Sequence, residues 1–423
     1  MSKKKVFLSI FALLVGIILA ACGDSNGNQT NDSDSKTISM MGWYSENEME
    51  PVIKAVNKEL GDELTVEYSF VPLQQYNNVL STQLSSGEGP DIITDGASFP
   101  SRIKSENLLD ISNEAFIQDF NENGFALATS EDGKIYGIPS YGWFSGIWYN
   151  KEIFETNGIE VPKTYDEFLQ VCEKLSTLGI APIGFGLSDS DSGNHSLIGY
   201  LENSFYRDEA NKDFDEQFAY GKAKMAGVMN DAVDKWKRII DDGYMNEKML
   251  GISGDQNMNM FINGEIAMMN GGPWNYANLE EAGMDVGMFS HLGDTEGDNY
   301  LIGGPAVSLG VNKNTKNETE AKKVLAAFAS LEVQQTWVDA NPGGFSYRKE
   351  VKVDTPDAYA LVQNELDNGR VACAWDRWGV NMPAETFLTE WKKQIQNLVS
   401  NQVTTEEFLE NLDKKADEIR YKE

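Results

Sequence analysis

The stretch 37–94 decides the fold, because it carries three short apolar runs: TISMM (37–41), LTVEYSF (64–70) and DIIT (91–94). The middle run alternates between apolar and polar side chains, which is typical of a strand with one buried face. Longer stretches at about 46–60 and 73–85 separate the runs, and the first starts at SENE (45–48), which has the spacing of a helix capping box. This β-α-β-α-β order predicts a parallel sheet covered by helices, and therefore an α/β fold.

The same alternation continues towards the end of the chain. Apolar runs at 147–149 and 306–311 predict further strands, and the segment 318–331 predicts a helix. Two more capping boxes, TYDE (164–167) and TTEE (404–407), predict two further helix starts. No unit of roughly 20–50 residues repeats, so solenoid and propeller folds are excluded.

The first residues have the features of an export signal. Three lysines precede the apolar stretch 6–19, which is shorter than the roughly 20 residues that span a bilayer as a helix. The ending LAAC (19–22) resembles the bacterial lipobox, which implies a lipid on Cys22 and cleavage before it. We therefore expect a lipoprotein signal peptide at 1–21 and, since the following residues are small and polar, a flexible tether at 22–36. An ordinary secretory signal with a chance cysteine is the alternative.

The bulk composition limits the possible partners. A formal net charge of −31 argues against nucleic acid, whose phosphates need a basic surface. The two histidines and three cysteines form no cluster with metal-site spacing, so neither a metal nor a cofactor is expected. The loop around Asp189 and Asp191 comes near a calcium-binding pattern, but its glycine falls one place too early. Cys172 and Cys373 are expected to be buried thiols, with a disulfide between them as the alternative.

Several segments resemble the family 1 extracellular solute-binding proteins, the maltose-binding-like sugar receptors of ABC importers. They follow the order of that family from about Thr37 to the end of the chain. The segments are GPDII (89–93), YGIP (136–139), WYNK (148–151), PKTYDEF (162–168), NGEIAMM (263–269), GGPW (271–274), VSLGVN (307–312), AKKVLAAF (321–328) and TEEFLE (405–410).

The resemblance implies a two-lobe, periplasmic-binding-protein-like (type II) fold, in which two α/β lobes joined by a hinge enclose an interlobe cleft. Each lobe would be assembled from separate segments, lobe 1 from 37–144 and 306–363 and lobe 2 from 145–305 and 364–423. It also implies a monomer without catalytic residues or cofactor, which works with ABC permease subunits and their cytoplasmic ATPase.

A cleft that binds sugar needs flat aromatic rings for the apolar faces of the ligand and carboxylates or amides for its hydroxyls. Trp43 and Glu46 follow the first predicted strand, and Asp95 follows the third. Open α/β sheets bind ligands outside the carboxyl ends of their strands, so we expect these three side chains at the ligand. A core position for Trp43 and a simple turn role for Asp95 are the alternatives.

The resemblance adds two tryptophans to the expected site. Trp143 precedes the first chain crossing and would lie on the floor of the cleft, with a core position as the alternative. Trp274 matches an aromatic residue that stacks on the ligand in that family. The Gly-Gly-Pro turn before it is typical of a loop, which also favours exposure of Trp274.

Two polar segments supply the remaining candidates. WDRW (375–378) combines aromatic rings, a carboxylate and a guanidinium, so we expect Asp376 and Trp378 to contact the ligand. A surface ion pair beside core tryptophans is the alternative. Asp189 is expected at the ligand because the family places polar contacts in the stretch that corresponds to SDSDSGNH (188–195).

These observations together predict the substrate-binding lipoprotein of a carbohydrate ABC import system, anchored through Cys22 to the extracellular face of the cell membrane. The number of aromatic residues favours an oligosaccharide over a monosaccharide. A lipid-anchored extracellular glycoside hydrolase is the alternative, because the 66 acidic residues could include a catalytic pair of carboxylates. A surface adhesion protein is a third interpretation, which no sequence feature favours.

Overall fold

The computed structural model describes residues 36–188, 191–297, 299–341, 344–353, 355–372 and 378–421. Several sequence predictions fall outside these residues and are not described further in structural terms. They concern the signal peptide, Cys22, the tether before Lys36, Asp189, Cys373 and Asp376. Cys172 is a buried free thiol.

The first of two mixed sheets contains five strands in the order β2-β1-β3-β10-β4. Its strands are β1 (Lys36–Gly42), β2 (Leu64–Phe70), β3 (Ile92–Asp95), β4 (Ile138–Pro139) and β10 (Ser308–Val311). Strand β1 runs parallel to both β2 and β3, with Ile38 opposite Val66 and Met40 opposite Ile92. This confirms the predicted β-α-β-α-β unit. Strand β10 returns antiparallel beside β3, which the apolar run in the sequence could not reveal.

The second sheet follows the order β11-β9-β5-β7-β6, and β8 also pairs with β5. Its strands are β5 (Gly142–Asn150), β6 (Ala181–Gly184), β7 (Ile266–Gly271), β8 (Val286–Phe289), β9 (Leu301–Pro305) and β11 (Val371–Ala372). Strand β5 is central: its first half pairs with β9, and its second half pairs with β7 and β8.

Helices cover both sheets. In the described residues they are α1 (Glu46–Leu60), α2 (Leu73–Ser86), α3 (Phe99–Lys104), α4 (Lys151–Thr156), α5 (Tyr165–Thr177), α6 (Ser192–Asn203), α7 (Phe214–Ala219), α8 (Asn230–Asp241), α9 (Gly254–Ile262), α10 (Tyr276–Glu281), α11 (Glu318–Phe328), α12 (Leu331–Asp339), α13 (Gln363–Asp367), α14 (Ala384–Val399) and α15 (Thr405–Ile419). The mixture of sheets and covering helices confirms the α/β class.

Two of the three predicted capping boxes form as expected. Ser45 and Glu48 close the box at the start of α1, and Thr404 and its partner three residues later close the box at the start of α15. The prediction at α5 is only half right. Thr164 accepts a hydrogen bond from the backbone of Glu167 (3.2 Å), but the carboxylate of Glu167 reaches back to the backbone N–H of Lys163 (2.8 Å).

Four clusters of buried apolar side chains hold the helices on the sheets in the described residues. The largest packs α5, α6, α8, α14 and α15 against the second sheet, another packs α1, α11 and α12 against the first, and two smaller ones include Trp148 and Tyr76. Five fully buried tryptophans contribute to the packing: Trp148, Trp236, Trp337, Trp378 and Trp391. Burying one large apolar side chain is worth roughly 1.5–3 kcal/mol, so these cores give each sheet a rigid support for the loops at its strand ends.

Among the described strands the chain passes between the two sheets three times: two of the passages are adjacent, and the third lies between β10 and β11. Strands β4 and β5 are separated by Ser140 and Tyr141, and β9 and β10 by Ala306 and Val307. The two connecting segments are hydrogen-bonded to each other, from Ser140 N to Val307 O (2.9 Å) and from Ala306 N to Tyr141 O (2.9 Å). Paired connections of this kind allow hinge motion while they limit sliding.

Candidate ligand-binding site

A cavity of about 970 Å³ opens at the carboxyl ends of β1, β3 and β7. Its volume lies in the range of typical small-molecule sites, roughly 300–1,000 Å³. Five aromatic residues line it: Trp43, Tyr44, Tyr141, Trp143 and Trp274. We call Trp43, Tyr44 and Asp95 the first wall, because they belong to the first sheet. We call Trp143, His195, Trp274, Glu385 and Lys392 the second wall, because they pack with the second sheet.

The ring of Trp43 is held in place by its packing against Tyr76. Strand β1 ends one residue before it, and the capping box of α1 follows. Its edge packs against Tyr76 with ring centroids 4.9 Å apart and planes at 80°. Tyr76 is fully buried, and its hydroxyl shares its one proton between the backbone oxygens of Met41 (3.1 Å) and Thr94. The partly buried Trp43 ring thus packs against the protein and also lines the cavity.

Asp95 is tied into the first wall by its own protein partners. The carboxylate is 2% exposed, and one oxygen accepts from Arg102 Nε at 2.8 Å while the other accepts from the backbone N–H of Gly96 at 2.9 Å. Arg102 also donates to Ser81 Oγ (2.8 Å) and to Asn77 Oδ1 (3.0 Å). Burial raises the pKa of Asp95, and the guanidinium of Arg102 opposes that rise. Asp95 therefore acts mainly as the buried half of an ion pair that shapes the wall.

The second wall contains a cluster of three rings. Trp143 stacks on His195 at 5.5 Å and 26°, and Trp274 lies 6.2 Å from Trp143 and 6.3 Å from His195. Trp274 is 53% exposed at the turn after β7. Gly272 makes this position possible, since a Cβ there would lie 2.3 Å from the Trp274 ring.

A buried chain of hydrogen bonds fixes His195. Ser145 Oγ donates to Gly271 O (2.9 Å), so it accepts from His195 Nδ1 at 3.1 Å. Asn270 donates to Ser145 Oγ (3.4 Å) and accepts from His291 Nε2 (2.7 Å). Burial lowers the pKa of His195 to about 4 and that of His291 to about 3. Both imidazoles are therefore neutral at neutral pH, and His195 supports Trp143 as an uncharged ring.

One face of α14 brings charged groups to the cavity. Glu385, Leu388, Thr389 and Lys392 line it at the helical spacing i, i+3, i+4 and i+7. Lys392 Nζ lies 2.5 Å from a carboxylate oxygen of Asp191. Burial alone would raise the pKa of Asp191, but Lys392 and the nearby His195 lower it overall. The cavity thus contains an ion pair within reach of solvent.

Glu385 differs from the other carboxylates of the cavity. Its side chain is half-buried, and among the described residues it makes no hydrogen bond or ion pair. Burial raises its pKa, Lys392 opposes the rise, and the neighbouring carboxylates of Asp95 and Asp191 add to it. Glu385 therefore offers acceptor oxygens to whatever occupies the cavity.

The structure brings together four of the residues that the sequence analysis proposed: Trp43, Asp95, Trp143 and Trp274 all line the cavity. Two others lie elsewhere. Glu46 is exposed in the first turn of α1, away from the lining. Trp378 is fully buried against Phe387 (4.9 Å) and Trp391 (5.2 Å), so its expected ligand contact is corrected to a core position.

Sequence reasoning missed several lining residues: Tyr44, Tyr141, His195, Glu385 and Lys392. Glu385 and Lys392 carry no distinctive signal, because the polar stripe of an amphipathic helix looks the same whether it faces solvent or a cleft. His195 could have been proposed as a lining residue, because it lies in the polar run 188–195 in which a ligand contact was expected.

In the part of the chain that the structure describes, no group of three or more His, Cys, Asp or Glu side chains is placed to hold a metal ion. Within the same residues, no helix combines the length and the apolar character needed to cross a membrane.

Comparison with known proteins gives consistent matches. The family model "bacterial extracellular solute-binding protein" matches residues 43–335. The multiple sugar-binding protein of Streptococcus mutans serotype c is 24% identical, over 80% of this chain and 81% of that protein. The galactooligosaccharide-binding protein of Bacillus subtilis is 23% identical, over 78% and 77% respectively.

A solved structure matches over almost the whole described part. It is a family 1 extracellular solute-binding protein from Bifidobacterium longum subsp. infantis, with a TM-score of 0.78 at 27% identity, covering 90% of this chain and 98% of that one. The fold implied by the sequence motifs is confirmed, since this neighbour has the two-lobe architecture of solute-binding proteins.

Proposed function

The chain belongs to the bacterial extracellular solute-binding proteins, and from this membership we propose that it captures an oligosaccharide in the cavity and delivers it to an ABC permease. The similar proteins of Streptococcus mutans and Bacillus subtilis are named for binding sugars, which supports a sugar as the solute. The permease subunits would be driven by a cytoplasmic ATPase, and the protein would act as a monomer.

The observation that carries the proposal is the arrangement of indole rings on both walls. Trp43 lies on the first wall, and Trp143 and Trp274 lie on the second. Aromatic faces bind the apolar faces of sugar rings, and the amides and carboxylates beside them can bind hydroxyls. A cavity of about 970 Å³ has room for more than one sugar unit, which supports an oligosaccharide.

Capture would involve closure of two lobes around the ligand. We propose that the lobes follow the segments expected from the sequence, 37–144 with 306–363 and 145–305 with 364–423, except that all of β5, and Trp143 with it, belongs to lobe 2, so that the two paired connections near Ser140 and Val307 act as the hinge. A ligand shifts such an equilibrium only by its greater affinity for the closed state. Contacts to both walls at once would supply that difference.

The proposed location is the outer face of the cell membrane. Cleavage before Cys22 and a lipid on its sulfur would anchor the protein, and the polar segment 22–36 would let the folded part reach the permease. Mass spectrometry of the protein from membranes tests this: a lipid-modified N-terminal Cys22 is expected, and an unmodified mature N-terminus elsewhere would contradict it.

Family membership favours capture over the alternative of a glycoside hydrolase. Asp95 and Asp191 are each paired with a cation, which leaves Glu385, whose pKa is raised by burial, as a candidate acid among the described lining residues, and the hydrolysis assay below tests that role directly.

The test is a calorimetric titration of the protein with a panel of malto-, cello-, xylo-, manno- and galacto-oligosaccharides and raffinose. Chromatography of the same mixtures after a day would detect any hydrolysis. Saturable binding without hydrolysis is expected. Hydrolysis of a panel member would favour the hydrolase, and the absence of binding to every sugar would contradict the proposed function.

A further inference from the structure

Among the described residues, the charged groups that line the cavity are predominantly acidic. They comprise four carboxylates and one amine: Asp95, Asp191, Asp255, Glu385 and Lys392. Two cations of the described part, Arg102 and Lys392, are each paired with a carboxylate of the cavity. Arg102 binds Asp95 at 2.8 Å, and Lys392 binds Asp191 at 2.5 Å. Two negative charges remain after this pairing, on Glu385 and on Asp255, which is exposed at the rim.

We infer that the cavity selects uncharged oligosaccharides over those that carry uronic acids, and that Glu385 sets this selection. The inference rests on the proposed function and names the class of sugar that the same cavity takes. It concerns charge alone, because the identity and linkage of the sugar depend on contacts that a neutral and an acidic sugar can share.

Glu385 lies where an added negative charge would be poorly tolerated. Its carboxylate is half-buried, and burial and the nearby carboxylates of Asp95 and Asp191 raise its pKa, which Lys392 opposes. Like charges in a partly desolvated site repel each other more strongly than in water, because the surrounding medium screens them less. A sugar carboxylate in this region would add a negative charge beside Glu385, which has no ion-pair partner among the described residues.

The hydrogen-bonding capacity of Glu385 also favours a neutral sugar over a uronic acid. An ionised carboxylate only accepts hydrogen bonds, and among the described residues that of Glu385 has no donor. Sugar hydroxyls are donors and can satisfy it. A uronate carboxylate is itself only an acceptor, so it cannot replace the hydroxyl that it substitutes.

A uronate would also find no unpaired cation among the described lining residues. To bind Lys392 it would have to displace Asp191, and to bind Arg102 it would have to displace a 2% exposed Asp95 that also accepts from Gly96. Arg102 is further engaged by Ser81 and Asn77. The second exchange would break a buried ion pair, which is strongly unfavourable.

The experiment compares two isosteric derivatives of one sugar. The tightest neutral binder of the panel that carries primary alcohols, which excludes the xylo-oligosaccharides, is oxidised at these alcohols to uronic acids, and part of this product is converted to the uncharged uronamide. The acid and the amide have nearly the same shape, so their affinity ratio reports the charge of the carboxylate and its lack of a hydrogen-bond donor, and the dependence of the ratio on salt isolates the charge. Calorimetry at low and high NaCl gives the ratio and its dependence on ionic strength.

We expect the amide to bind at least about tenfold more tightly than the acid, with a ratio that falls as salt screens the repulsion. Glu385→Gln should reduce the ratio severalfold. Glu410→Gln is the matched control, because it removes one exposed negative charge from α15 outside the cavity lining, and it should leave the ratio unchanged. Thermal unfolding of each variant confirms that it is folded.

Each of the other possible results would contradict one part of the inference or the proposed function. Equal affinity for the acid and the amide would overturn the inference while the proposed function stands. A preference for the amide that Glu385→Gln leaves intact would overturn the role of Glu385. Failure of every neutral sugar in the panel to bind would instead overturn the proposed function itself.

Discussion

The two walls of the cavity use similar residues in different ways. On the first wall, both oxygens of Asp95 have protein partners, and Trp43 is braced by Tyr76. On the second wall, Trp274 is 53% exposed and the carboxylate of Glu385 has no donor among the described residues. We infer that the first wall chiefly gives the cavity its shape, whereas the second wall offers most of the free surface and acceptor atoms to a ligand.

The largest effect is expected from Asp95→Asn, which would test the structural role of the first wall. Removing one partner of a buried ion pair typically costs about 3–5 kcal/mol, because the other charge is left uncompensated. We expect a fall of about 3 kcal/mol in the free energy of unfolding and little change in sugar affinity for the folded protein. Denaturant unfolding and calorimetry measure the two quantities. Full stability with a large loss of sugar affinity would instead assign Asp95 a role in ligand binding rather than in shaping the wall.

Trp143→Ala tests the second wall and should cause the largest loss of affinity. The ring lies between the cavity and His195, so its loss removes a stacking surface and also uncovers its neighbours. A side chain of this size buries 150–250 Å², so losing about half of that area in the complex is worth about 2 kcal/mol, or roughly thirtyfold in Kd. Trp143→Phe is the control, because it keeps a ring and should lose much less. An unchanged Kd in the alanine variant would remove Trp143 from the site.

The buried histidines of the second wall make stability sensitive to pH. Unfolded histidine binds a proton near pH 6.5, whereas His195 resists protonation to about 4 and His291 to about 3. The depressed pKa values mean that stability is complete above pH 6.5 and falls as pH decreases towards 4. Between pH 7.5 and 6 the loss should be about 1.5 kcal/mol if both histidines contribute.

The histidine effect can be isolated because the chain has only two histidines. The variant His195→Gln/His291→Gln should flatten the pH dependence of unfolding in this interval. NMR titration of the two imidazoles should show both neutral at pH 6. An imidazole that titrates near 6.5 would contradict the buried, neutral assignment.

A smaller contrast is expected between the two remaining tryptophans. Trp274→Ala should weaken sugar binding by about 1 kcal/mol, roughly fivefold, without changing the melting temperature, since the ring is exposed. Trp43→Ala should weaken binding less and should lower the melting temperature, because it uncovers Tyr76. Thermal unfolding and calorimetry of the two variants side by side measure the contrast. If Trp43→Ala instead lost more affinity and Trp274→Ala lowered the melting temperature, the first wall would be the one that binds the ligand and the second wall the one that shapes the cavity.

Much of the fold could be predicted from the sequence because its signals are local. Alternating apolar residues predict the strand at 64–70, the short apolar run 91–94 predicts the strand at 92–95 to within one residue, and serine and threonine caps predict the starts of α1 and α15. The return of β10 beside β3 could not be predicted in this way, because antiparallel pairing between distant segments depends on how the whole chain is folded.

The candidate site was predictable only where the local sequence exposes a side chain. Trp274 follows a Gly-Gly-Pro turn and Trp43 follows a strand end, and both line the cavity. Trp378 looked similar, but it packs against Phe387 and Trp391 on α14, which is a contact that no local pattern encodes. Glu385 was missed for the same reason, since only the placement of α14 turns its polar side towards the cavity.

The central claim is that the cavity between the two walls holds a sugar, and a crystal structure of the protein with the tightest sugar of the panel tests it most directly. We expect sugar rings against Trp143 and Trp274, with a sugar hydroxyl within hydrogen-bonding distance of the Glu385 carboxylate. Sugar bound elsewhere, for example in the hollow of about 650 Å³ that Lys151, Tyr276 and Asp357 line, with the cavity between the walls empty, would contradict it.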